Sequence, residues 1–333
     1  MQDVTDLPFW TLIAQYGGAD LYVTEYFRVH AVSRLDRYIL TSITRNPTAR
    51  PVLAQMIGND IPALVRTARE LQRHPVAGVD VNLGCPAPVV YRKRAGGGLL
   101  RDLPQVDRIL GALRDAVQIP LTVKTRLGFD SPDELDNLLP ILGRHRLDLV
   151  VVHGRTVRQH LASPVSTQHI ARAARELPCP VLANGNVFTA DQALALWRET
   201  GSNGVMIGRG AIRNPWIFTQ IRQRLAGAPP FVPTGRDVLD YIRRLYEVVY
   251  PPGVSEASQV KKMKLYMNHL GPGVDVGGRF LHEIRRVQSE TQFFEVCHRH
   301  LDHDHPMRLD FSSLVGAERT APDFPLAPHS VPC

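Results

Sequence analysis

Seven short apolar runs rich in β-branched residues recur along the first two-thirds of the chain, with helix-like patterns between most of them. The runs cover 21–24, 51–57, 78–83, 120–125, 147–153, 180–183 and 204–208; the helical patterns cover 61–72, 105–117, 133–143, 167–176 and 190–200. Runs apolar on both faces suit buried parallel strands, so the alternation predicts repeated β-α units. Helix starts agree with it: Thr189 or Asp191 can cap one helix, and Ser131-Pro132-Asp133 begins another with proline in a tolerated first-turn position. An open doubly wound sheet ordinarily carries a Gly-rich first turn, and G-x-G-x-x-G is absent. A helix-like segment at 8–17 precedes the first run with no strand before it. The expected fold class is therefore α/β: a (β/α)8 TIM barrel whose first strand is missing at the N-terminus.

The chemically distinctive residues support the barrel. Glu25, Gln55, Asn82 with Cys85, Lys124 with Arg126, His153 with Arg155, Asn184-Gly185-Asn186 and Gly208-Arg209 all fall at or just past the C-terminal ends of these runs. In such a barrel those ends form the active face, where loops from different strands surround one cavity.

The pattern changes after residue 227. Gly227 to Gly235 is a Pro/Gly-rich linker, followed by helical patterns at 237–249, 255–270, 279–286 and 289–300 with the turn Gly271-Pro272-Gly273 between two of them. Residues 1–228 are thus expected to form the catalytic barrel, 229–301 a small all-helical domain, and 302–333 a loosely structured tail. Composition excludes other classes. With 44% hydrophobic and 21% charged residues the chain is neither a rod nor largely disordered, and no stretch reaches a membrane span. Four scattered cysteines without C-x-x-C indicate neither a disulfide framework nor a zinc finger, and His298, His300, His303 and His305 lack the spacing of a metal site. No metal and no membrane partner is expected, and a cytoplasmic monomer is the default. The cations exceed the anions by seven, and residues 1–228 alone carry +8, which favours a polyanionic partner. Lys261, Lys262 and Lys264 form a candidate basic stripe on one helix, against the alternative of a solvated face.

Three constellations carry chemistry. Cys85, directly before Pro86 on a loop over the barrel mouth, can act as acid or nucleophile; the alternative is a small buried hydrophobe, expected for Cys179 and Cys297. Arg92-Lys93-Arg94 and Gly96-Gly97-Gly98 offer a flexible loop that could close over an anion, or a solvated turn. Lys124 and Arg126 are expected not to share a face, so that one reaches the cavity centre and the other its rim or the adjoining loop. Asn184-Gly185-Asn186 and Gly208-Arg209-Gly210 end the last two strands, where barrels commonly bind phosphate through backbone N–H groups. With Lys124 and Gln55 they point to a phosphorylated cofactor with a ring, which flavin mononucleotide (FMN) satisfies.

Read in order, Val4-Thr5-Asp6-Leu7-Pro8-Phe9, Asn82-Leu83-Gly84-Cys85-Pro86 with Gly96-Gly97-Gly98-Leu99-Leu100, Val123-Lys124-Thr125-Arg126-Leu127-Gly128, Val152-His153-Gly154-Arg155-Thr156, Asn184-Gly185-Asn186, and Ile207-Gly208-Arg209-Gly210 with Pro215-Trp216 resemble the tRNA-dihydrouridine synthase family. The resemblance implies an FMN-bearing barrel and a helical domain that together grip tRNA. It implies that NADPH or NADH reduces the flavin, that flavin N5 passes hydride to C6 of a uracil, and that a cysteine protonates C5. Carried over by motif, Cys85 is the proton donor, and Asn82 and Arg126 contact the base. Met1, Gln55, Lys124, His153, Asn184, Gly185, Asn186, Gly208 and Arg209 surround the flavin, while Lys261, Lys262 and Lys264 meet the tRNA. Family members have an apolar strand ending in Ala-Pro-Met ahead of the Val-Thr-Asp segment, and Met1 falls on that methionine, so a start upstream is expected. Two other readings stay open: an FMN barrel that reduces a free pyrimidine or similar ring, and a non-catalytic RNA-binding barrel.

Overall fold

The computed structural model describes residues 4–249 and 253–309. Its sheet is wholly parallel and comprises β1 (Tyr22–Val23), β2 (Phe27–Arg28), β3 (Val52–Ile57), β4 (Gly78–Leu83), β5 (Leu121–Arg126), β6 (Leu149–His153), β7 (Val181–Asn184) and β8 (Gly204–Met206). The order is β1-β3-β4-β5-β6-β7-β8, with β2 also on β3. Every residue of β3 and β4 is buried, as strands covered on both faces require. Sheet and surrounding helices form the curled β/α architecture of a TIM barrel.

β1 and β2 are one strand interrupted. Val23 pairs with Leu53 and Phe27 with Met56, so the first strand spends one more residue than its partner between the two pairs. That is a bulge, and it turns Glu25 to accept the Val4 N–H at 3.1 Å. β1 and β8 stand at the two ends of the strand order. Side chains span the seam between them instead of a ladder: Thr219 Oγ1 donates to Tyr16 O at 2.8 Å, and Arg222 donates to Gly17 O, Gly18 O and Asp20.

The helices at Thr167–Glu176 and Ala190–Thr200 match their sequence patterns, the latter with a Thr189–Gln192 capping box. Arg37–Thr44 is a helix that periodicity missed. Its β-branched composition is a poor helix former, but Asp36 caps it by accepting from Tyr38 N and Ile39 N, and Ile39 and Ile43 pack into the core. Beyond residue 227 the described elements are helices: Gly235–Val249, Glu256–Leu270, a single turn at Gly271–Gly273, Arg279–Ile284 and Glu290–Leu301. They dock on the barrel through buried phenols. Tyr241 OH donates to Ile212 O at 2.9 Å and Tyr266 OH to Val4 O at 2.8 Å. The tail expected from residue 302 is tied down over its first residues: Thr234 bridges Pro306, and Met307 N donates to Pro233 O at 2.7 Å. The rest of it, from 310, lies outside the described residues.

Candidate active site

β4 and β5 supply the floor of the site. Asp80 and Asn82 are two residues apart on β4 and share its inner face. Gln55 on β3 links them, donating to Asp80 Oδ2 at 2.7 Å and accepting from Asn82 Nδ2 at 2.8 Å. Thr122 also donates to Asp80, whose burial nevertheless holds its pKa above the usual carboxylate value. Asp80 was not singled out from the sequence. Its spacing to Asn82 was the available signal, because strand periodicity puts both on the cavity side.

Asn82 aims the cysteine loop. Its Oδ1 accepts from Gly84 N at 3.0 Å and Cys85 N at 2.9 Å, so it turns the chain sharply after β4. Arg126 holds the same loop from β5, donating from Nε to Gly84 O at 2.9 Å and from Nη1 to Thr156 O at 2.6 Å. Cys85 is a free, partly exposed cysteine on that turn; of the two expected to be buried, Cys297 is and Cys179 is half-buried. The glycine triplet is not a flexible flap. Gly96–Arg101 is a 3-10 helix whose glycines are buried beneath Cys85, with Gly97 N donating to Cys85 O at 3.1 Å. A Cβ on Gly97 would stand 2.8 Å from that oxygen and 2.6 Å from Val157 Cγ2, so this position requires glycine.

Cations converge above the floor. Contrary to the expectation of separate faces, Lys124 and Arg126 share one face of β5, because residues two apart on a strand point the same way. They differ in depth: Lys124 Nζ reaches across to Asn184 Oδ1 at 3.2 Å, whereas Arg126 lies toward the rim. Burial and the nearby Arg126 push the Lys124 ammonium down to about 8. Arg155 is fully buried and held by Ser163 O, and Arg209 donates to Asn186 Oδ1 at 3.3 Å. His153 lies among them. Burial first, then Lys124, Arg126, Arg155 and Arg209, hold its pKa down to about 2, so the ring is neutral. Arg155 Nη1 lies 3.4 Å from His153 Nε2, which makes that nitrogen the acceptor. Asn186 adopts a positive φ of 48° beside Gly185, and Gly208 caps the helix Arg209–Arg213. The structure thus gathers Gln55, Asn82, Lys124, Arg126, His153, Asn184, Asn186 and Arg209 into one connected cluster that leads to Cys85. Met1 lies outside the described residues.

The lysine stripe is not one surface. On Glu256–Leu270, Lys261 is exposed, Lys264 lies on one flank of the buried face, and Lys262 lies on the other. Lys262 faces the barrel, 3.7 Å from buried Asp6 and 5.8 Å from the Tyr266 ring centre. A helix turns about 100° per residue, so neighbours 261 and 262 diverge. Two groups that the sequence did not flag complete this side: Arg213 stacks on Phe188 at 4.3 Å and donates to His269 O at 2.8 Å.

Among the described residues no helix is long and apolar enough to cross a membrane, and no group of three or more His, Cys, Asp or Glu could hold a metal ion. The family model for dihydrouridine synthase (Dus) matches residues 1–291. The chain is 31% identical to a tRNA-dihydrouridine synthase B of Xanthomonas axonopodis pv. citri, covering 98% of this chain and 89% of the relative. It is 32% identical to a probable tRNA-dihydrouridine synthase of Rhodobacter capsulatus over 75% and 78%, and 27% identical to a tRNA-dihydrouridine(16) synthase of Neisseria meningitidis over 88% and 90%. A barrel with these loops and a family match across nearly its whole length leave one assignment: the chain belongs to the dihydrouridine synthase family.

Proposed function

We propose that the protein reduces the C5–C6 double bond of specific uridines in tRNA, with FMN as cofactor and NADPH or NADH as reductant. The observation that carries this reading is the convergence of Lys124, Arg126, Arg155 and Arg209 around neutral His153, next to a cysteine loop. Four cations gathered at one end of a sheet, with buried Asp80 as the carboxylate below them, are costly unless an anion joins them. A phosphorylated ring fits that demand. Arg209 and the Asn184–Asn186 turn would hold its phosphate, while Lys124, His153 and Gln55 would line its ring. When bound, reduced FMN supplies the hydride that the uracil C6 receives.

The chain's own residues do the rest. Hydride arrival leaves carbanion character at uracil C5, and the Cys85 Sγ–H delivers the proton there. Asn82 and Arg126 fix where that sulfur stands, because each holds one side of the Gly84-Cys85 turn. The donors they have left, the second N–H of Asn82 Nδ2 and those of Arg126 Nη2, meet the base. Lys124 opposes the negative charge of the reduced cofactor. A base must leave its stack to reach the site, which favours a loop nucleotide as substrate and gives the helical domain a positioning role. Incubating the purified protein with FMN, NADPH and tRNA free of dihydrouridine, then mapping the product by mass spectrometry, tests the reading; no dihydrouridine at any position rejects it.

Three further outcomes follow. The Lys124 ammonium is lost as pH rises through about 8. FMN affinity is therefore expected to be highest below that pH and to fall by up to about tenfold per pH unit above it, one proton being linked to binding. Titrating flavin fluorescence from pH 7 to 9.5 measures this, and Lys124→Met should flatten the curve. Reversing the charges of Lys261 and Lys264 is expected to weaken tRNA binding and lower its salt slope by about one to two. Lys262→Glu should behave differently, lowering thermal stability through repulsion of Asp6.

A further inference from the structure

Beside the cysteine loop, and outside the cation cluster, lies a surface cleft of about 460 Å³. Its walls come from four separate places: the turn and short helix after Cys85 (Pro86, Pro88, Tyr91), the end of the 3-10 helix (Arg101), the loop after β5 (Phe129) and the loop after β6 (Arg158 to Leu161). Arg126 lines it as well, so the cleft and the site share one guanidinium.

Its chemistry is flat and cationic. The Arg101 guanidinium lies over the Phe129 ring at 3.6 Å, and Tyr91 meets the same ring edge-on at 5.5 Å. Arg158 also lies over Phe129, at 5.9 Å. Arg101 and Arg158 share a single carboxylate, Asp130, and both are about half or more exposed. With Arg126, the three arginines less Asp130 leave two net positive charges. Leu161, which also lines the cleft, is 46% exposed and offers an apolar surface beside this charge.

Guanidinium planes, aromatic edges and bare aliphatic rims are what an unstacked nucleobase packs on, and partly neutralised arginines suit a phosphodiester. Resting on the tRNA reading above, we propose that this cleft receives the nucleotide next to the reduced uridine, its base on the Arg101 guanidinium that covers Phe129 and on Leu161, and its phosphate on Arg158 within the field of Arg126. The cleft opens at Pro86, one residue past Cys85, so it adjoins the position of the reacting base. Two net charges match one phosphodiester with margin. They fall short of the dinucleotide reductant, which carries a pyrophosphate and, in NADPH, a further phosphate.

The test compares wild type with Arg101→Ala/Arg158→Ala. Affinity for tRNA is measured across a salt series, alongside steady-state dihydrouridine formation and the rate at which NADPH bleaches the bound flavin. The double variant is expected to raise the tRNA Kd and KM about tenfold, to lower the salt slope by about one to two, and to leave flavin bleaching unchanged. A paired Arg101→Lys/Arg158→Lys protein should recover the salt slope but not the full affinity, since lysine keeps the charge without the plane. Unchanged tRNA affinity and slope overturn the proposal, and so does a loss confined to flavin bleaching, which would give the cleft to the reductant. Full recovery by the lysine pair would reduce it to a charge patch and overturn base packing. Affinity is read apart from turnover. Tight, Arg101- and Arg158-dependent tRNA binding without dihydrouridine would sink the proposed reaction and leave the cleft standing.

Discussion

Cys85→Ala is expected to retain bound flavin and tRNA affinity while dihydrouridine formation falls by about 100-fold or more. The size follows from removing a general acid positioned at one atom, which ordinarily costs about 10² to 10⁴ in rate. The retained binding follows from the loop. Gly84 and Cys85 are held through backbone groups, by Asn82 Oδ1 on their N–H atoms, by Arg126 on Gly84 O and by Gly97 on Cys85 O. None of these bonds uses the thiol, so alanine leaves the turn standing. Single-turnover kinetics with pre-reduced enzyme separates the steps: NADPH should still bleach the flavin at the wild-type rate, and reoxidation by tRNA should stall. Unchanged reoxidation would remove Cys85 from the chemistry.

Gly210→Ala is expected to cost the protein its flavin, with affinity falling at least about tenfold and the melting temperature dropping measurably. A Cβ at this position would sit 1.9 Å from Val187 O and 3.0 Å from Val187 C. Both are backbone atoms of the turn that follows Asn186, so no side chain can rotate away. Either that turn or the helix Arg209–Arg213 has to move, and overpacking of this kind costs about 1–3 kcal/mol or more. The Arg209–Asn186 contact spans the same interface, so the displacement falls on the proposed phosphate end of the site. Equilibrium dialysis against FMN and differential scanning calorimetry measure the two effects. Wild-type flavin affinity in a Gly210→Ala protein would show that the two loops do not jointly hold the phosphate.

Strand positions and chemistry at strand ends were legible from the chain itself. A strand alternates faces with period two, and a fully buried parallel strand must be apolar throughout, so each run announces both its place and its polar terminus. That is why Gln55, Asn82, Lys124, His153 and Asn184 could be named before any coordinate. The short helices were not legible in the same way. Arg37–Thr44 carries no favourable helical composition and is held by the Asp36 cap and by packing of Ile39 and Ile43, which are tertiary facts.

The same division runs through the site. Gly96-Gly97-Gly98 beside Arg92, Lys93 and Arg94 has the composition of a mobile anion loop, yet those glycines lie buried against Cys85, Val157 and Tyr91, because only backbone without Cβ fits there. Lys261, Lys262 and Lys264 are adjacent in sequence and divide between solvent and Asp6, since a helix sends consecutive residues to different faces. The β/α order, the residue types at the strand ends and hence the family are written in the linear chain. Which groups meet is set by the folding of distant segments: Gln55 with Asp80 and Asn82, Lys124 with Asn184, and Arg101 with Phe129. Periodicity tells which way a side chain points along its own strand or helix. Which partner waits there depends on how distant segments are curled together, and that is written in no local pattern.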